Sequence, residues 1–68
     1  MIGKIKKLIT DKGYGFIKSG DKDYFFHYTG LTNSTMEKLD VGMEVSFELG
    51  SGKDGKARAE QVAVIANL

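Results

Sequence analysis

Sixty-eight residues, 41% of them apolar and 28% charged, make a single small globular domain, 1–68, rather than a disordered tail. With no cysteine and one histidine the chain offers no disulfide, no thiolate metal centre and no zinc site of its own, and no cofactor is expected. The net charge of +1 hides an asymmetry, because Lys4, Lys6, Lys7, Lys12 and Lys18 face Asp11 alone within the first 18 residues. Such a basic segment suits an anionic partner; it equally suits a strand edge that lysines protect from aggregation.

The first element alternates over Ile2-Gly3-Lys4-Ile5-Lys6, and Lys7-Leu8-Ile9 breaks the phase, which predicts a strand with a bulge near Lys7. Asp11-Lys12-Gly13 predicts a turn. Tyr14 to Lys18 then reads as a short strand with Tyr14 and Phe16 on one face. After the turn Ser19-Gly20-Asp21-Lys22 comes Tyr24-Phe25-Phe26-His27-Tyr28. So short a chain cannot bury five rings in a row, so Tyr24 and Phe26 are assigned inward, Phe25 and His27 outward. Tyr28 to Val41 is a long connection. Within it Ser34 and Glu37 fit a capping box and Gly42 a helix stop, predicting one short helical turn. Met43, Val45, Phe47 and Leu49 alternate with Glu44, Ser46 and Glu48, the pattern of a half-buried strand. Gly50-Ser51-Gly52-Lys53-Asp54-Gly55 is a turn, and Ala57 to Ile65 a last strand whose phase changes between Ala59 and Val62. Five short strands with one long crossing connection describe an all-β, five-stranded antiparallel barrel of the oligonucleotide-binding type, the OB-fold.

No apolar run approaches the roughly 20 residues that span a bilayer, and Met1 to Lys7 has no apolar stretch of the kind a signal peptide needs. A cytoplasmic protein with no membrane partner is expected. Nor does the chain contain a Ser-His-Asp arrangement, a phosphate-binding Walker loop or a paired-acid site, so an enzyme with a small-molecule substrate is not expected.

Lys12-Gly13-Tyr14-Gly15-Phe16-Ile17 is the most specific motif. Two bare glycines surround two rings on one strand face, with a cation at the edge. Taken alone, the rings could face the core. The second aromatic cluster changes the balance. In a hairpin of the two strands, Phe25 and His27 neighbour Tyr14 and Phe16, giving a platform of four rings beside lysines. Flat rings interleaved with cations match the chemistry that binds unpaired bases and their phosphates.

Together these segments resemble the bacterial cold-shock proteins over essentially the whole chain. Gly3-Lys4-Ile5-Lys6 is similar to that family's opening strand. Lys12 to Ile17 resembles its first ribonucleoprotein motif, and Phe25-Phe26-His27-Tyr28 its second, with Tyr24 in front. Leu39, Gly42, Val45, Ser46 and Phe47 fit its fourth strand, Ala59 and Val62 its fifth. The order of the two motifs is the reverse of that in RRM domains, which also need two long helices. The resemblance implies a barrel that binds single-stranded RNA and DNA with low sequence selectivity, as an RNA chaperone or a regulator of transcription or translation. Carried over by position, Tyr14, Phe16, Phe25, His27 and Tyr28 stack bases. Lys4, Lys6 and Lys12 meet phosphates or base edges, Asp23 adds a polar contact near the rings, and Arg58 reaches a base edge or phosphate.

The departures are informative. Lys7 stands where the family usually has Trp, and the chain has no Trp. Met36 stands where it usually has an aromatic, and Lys56-Ala57 where it has Gly-Pro. Lys7 and Met36 are therefore counted with the site, Lys7 as a charge in place of a ring and Met36 as an adaptable cover for one. An alternative is a cold-shock-like barrel with weakened nucleic-acid binding that serves as a protein-interaction module. The chain is expected to act as a monomer.

Overall fold

The computed structural model describes residues 1–51 and 57–66. Five strands follow one another: β1 (Ile2–Ile9), β2 (Tyr14–Ser19), β3 (Lys22–His27), β4 (Glu44–Ser51) and β5 (Ala57–Ala66). They close into a barrel in the order β1-β2-β3-β5-β4, the all-β, OB-type architecture expected. One seam departs from that expectation. β3 and β5 run parallel where Phe26 meets Ala59. The reason is topological: an odd ring of strands cannot alternate direction all the way round, so one neighbouring pair must be parallel.

The expected bulge in β1 is present. Ile5 pairs with Ile17 and Lys7 with Phe16, so Lys6 is the extra residue. Beyond it Lys7 returns to the outer face. A second irregularity explains the phase change in the last strand. Ser46 pairs with Ala63 and Glu48 with Glu60, leaving Gln61 and Val62 against Phe47 alone. Gln61 takes up the excess with a φ of 50°.

The interior follows the alternation. Ile5, Ile17, Phe26, Val45, Phe47 and Val62 are essentially sealed from solvent, and Met36, Leu39, Met43 and Ala59 complete the core. The half-buried Tyr24 lays its ring 5.6 Å from that of Phe47. Leu49 is in phase with Val45 and Phe47 yet 47% exposed. β1 pairs with β4 only from Ile2 to Lys4, against Glu44 to Ser46, so β4 runs past the wall that covers its earlier residues.

The long connection holds two single turns of 3₁₀ helix, Tyr28–Gly30 and Met36–Lys38. The expected capping box does not form. Thr35 precedes the second turn without a side-chain cap, and the Ser34 hydroxyl donates instead to the Thr35 carbonyl at 3.4 Å. A three-residue turn has too few unpaired N–H groups to organise a box. Gly42, with φ 96°, makes the turn into β4 rather than a helix stop. The turn expected from Gly50 to Gly55 starts later than that: Gly50 and Ser51 still belong to β4, paired with Arg58 and Ala57, and Gly52 to Lys56 lie outside the described residues.

Gly15 shows why the first motif needs a bare residue between its rings. A Cβ there would lie 2.5 Å from the Lys7 carbonyl oxygen and 2.8 Å from the Phe26 ring. Gly15→Ala should therefore destabilise the barrel by about 1–3 kcal/mol, the usual cost of overpacking. At Gly30 the nearest atom to an added Cβ is 3.7 Å away, so Gly30→Ala should stay close to the parent. Urea denaturation of the two variants checks the contrast; equal midpoints would contradict it.

Candidate nucleic-acid interface

Register alone assembles the outer face of β1, β2 and β3, because residues directly opposite in an antiparallel pair share a face. One row is Ile9–Tyr14–His27, the next Lys7–Phe16–Phe25, and the third Lys4–Lys18–Asp23. Their opposite numbers on β2, Gly15 and Ile17, are buried. The reading in which Tyr14 and Phe16 face the core is thereby excluded.

The rings form a continuous group. Tyr14 lies 5.4 Å from Phe25 and 6.1 Å from Phe16, and Phe16 lies 6.0 Å from Phe25 in an edge-to-face arrangement. All three are half-buried, so each is braced by its neighbours while presenting part of its surface outward. His27 continues towards Tyr28, whose ring centroid is 4.5 Å away. Nδ1 of His27 accepts from the Thr29 backbone N–H at 3.4 Å and lies 3.0 Å from the Thr29 hydroxyl. Tyr28 is 54% exposed. Its N–H donates to the Gly13 carbonyl at 2.8 Å, and its ring crosses Gly13 so closely that a Cβ there would meet Cδ1 at 2.7 Å. Gly13 also has φ 76°, so this turn admits a side chain on neither count.

The cations divide into groups. Lys7, the residue in place of a ring, is exposed and opposite Phe16, hence on the ringed face. Lys4 is exposed at the row's end. Lys6, thrown out by the bulge, is bound to Asp23 at 2.7 Å. These two residues, each expected to meet a ligand, meet each other, in a half-exposed pair worth only about 0–1 kcal/mol. Lys12 stands in the turn before β2 and, with Tyr28, Leu31 and Met36, lines an open hollow of about 510 Å³. Arg58, at the start of β5, points to Glu60 at 3.4 Å and lies beside His27 in a second hollow.

Met36 corrects an expectation. It is 9% exposed and belongs to the core cluster, so it forms the floor of the Tyr28 hollow rather than an outward stacking surface. A flexible thioether gains more from filling the barrel end than from standing in water. Two residues of the face were missed. Lys18 shares the parity of Phe16 and was legible in the sequence. Ile9, half-buried beside Tyr14, reaches this face only because the bulge shifts the phase of β1.

Known proteins resemble this chain over most of its length. The family model described as the ‘Cold-shock’ DNA-binding domain matches residues 1–65. The chain is 41% identical over 61 residues to the cold shock protein CspB of Geobacillus stearothermophilus, covering 88% of this chain and 92% of that protein. It is 41% identical over 56 residues to the cold shock-like protein CspE of Bacillus anthracis, covering 81% and 84% respectively. With the cold shock-like protein CspB of Escherichia coli it shares 38% over 64 residues, 91% of this chain and 90% of that one.

Proposed function

The chain belongs to the cold-shock domain family, a nucleic-acid-binding and non-enzymatic one, and from that premise we propose that it binds single-stranded RNA and DNA with low sequence selectivity. The observation that carries the reading is the outer face of β1–β3, where Tyr14, Phe16, Phe25 and His27 lie beside Lys4, Lys7 and Lys18. Every base has a flat face, so rings bind any sequence, but only bases outside a duplex can reach them. Lysines at the margin neutralise phosphates and contribute the salt-sensitive, sequence-blind part of the affinity. Binding that favours unpaired strands shifts weak hairpins towards the open form by mass action, the physical basis of an RNA-chaperone or regulatory role.

A titration of fluorescently labelled heptathymidine, or a U-rich strand, against its duplex tests this. The single strand should bind more tightly, with log affinity falling linearly in log salt by about 0.7 per phosphate contact. Equal binding of the duplex would overturn the proposal. The second reading, a protein-interaction module, is favoured by the loss of two family stacking surfaces at Lys7 and Met36. It predicts weakened oligonucleotide binding and a hydrophobic protein interface whose affinity does not fall steeply with salt.

Lys7 supplies a further expectation. Lys7→Trp exchanges one phosphate contact for a stacking surface worth about 1–3 kcal/mol. At about 0.15 M salt the ring should outweigh the screened charge, and single-strand affinity should rise. The salt slope should flatten by about 0.7, so the gain grows as salt is added. A weaker Lys7→Trp variant, or an unchanged slope, would show that Lys7 does not meet the strand.

A further inference from the structure

The ladder that joins β3 to β5 is interrupted. β3 meets β5 at Phe26 and Ala59, and the chain next touches β5 at Leu31 and Val62. Between these parallel bridges the four residues 27–30 lie against only two, Glu60 and Gln61. The interruption borders a hollow of about 250 Å³ lined by His27, Thr29, Gly30, Arg58, Glu60 and Gln61. It begins where the row Tyr14–His27 ends, so a strand laid along the rings runs towards it.

Gln61 is the one non-glycine residue with positive φ among the described residues. If the bulge in β5 needed only that backbone shape, glycine would adopt it with less strain. The chain instead holds an exposed amide there, at the rim of a hollow that Arg58 and Glu60 also line. Strained backbone and bulges are common where a side chain is aimed at a ligand.

We propose that this hollow is a base-reading subsite for one unpaired adenine at the β5 end of the ringed face, with the Gln61 amide as the reader. The inference rests on the single-strand reading of that face. Adenine carries a donor next to an acceptor on both its exposed edges, and a glutamine amide pairs with such an edge through two hydrogen bonds. His27 supplies the stacking surface on one wall, and a purine covers more of it than a pyrimidine does.

The test places a single adenine at each position of labelled heptathymidine in turn, with guanine and cytosine at the most responsive position as controls. One position should favour adenine over thymine by roughly fivefold or more, the lower range for a bidentate base contact. Gln61→Gly suits the positive φ and should keep the fold, checked by thermal denaturation, while the adenine-to-thymine affinity ratio falls towards one. Gln61→Glu, which loses the amide donor but keeps the length, should also lower it. The proposal is overturned if heptathymidine binds and no position responds to adenine, if guanine is favoured as strongly, or if the ratio survives in Gln61→Gly. Failure of heptathymidine itself to bind would instead remove the ringed-face reading, and this one with it.

Discussion

Phe26→Ala should cost the barrel about 3–5 kcal/mol, the range for truncating a buried phenylalanine. The ring is fully sealed from solvent and lies against Gly15, where no side chain can follow to refill the space. It also stands at the point where β3 closes on β5. A chain of this length has a total stability of roughly the same size. The variant should therefore be largely unfolded at 25 °C, visible as lost strand signal in circular dichroism and an absent thermal transition. Phe25→Ala, one residue earlier and on the other face, should retain a cooperative transition. Tolerance of Phe26→Ala, or unfolding by Phe25→Ala, would reverse the assignment of the two faces of β3.

Removing both outward phenylalanines should give the largest change in affinity. Phe16 and Phe25 are directly opposite across β2 and β3, with centroids 6.0 Å apart. Each alanine substitution should cost about 1–3 kcal/mol of single-strand binding. Together they should cost roughly 2–6 kcal/mol, with departure from a simple sum because the rings touch. No charge is lost, so the slope of log affinity against log salt should stay the same while the whole line drops. Titrations at three or more salt concentrations check this, with the thermal transition confirming a folded barrel. If affinity barely changes, the rings are not the stacking surface. A changed slope would mean that the lysines had moved with them.

The amino-acid sequence by itself determined the alternating faces, because side chains on a strand point to opposite sides with a period of two. That rule was enough to place Phe26 inside, to bring Tyr14 and Phe16 beside Phe25 and His27, and to locate the bulge from the broken phase at Lys7. The motifs Lys12 to Ile17 and Phe25 to Tyr28 carried the resemblance to the cold-shock family. Contacts between residues far apart in the chain were another matter. Only the tertiary structure decided that Lys6 is taken up by Asp23 across 17 positions, since two flexible charged side chains meet wherever the bulge aims one of them. Only it decided that Met36 sinks into the barrel end, that Leu49 outruns the wall of β1, and that Ser34 caps nothing. It also decided the parallel seam between β3 and β5, with its interruption and the strained Gln61 beside it. The physical reason is common to all of these. Periodicity is a local property of each strand, whereas burial, pairing and closure depend on where neighbouring strands begin and end.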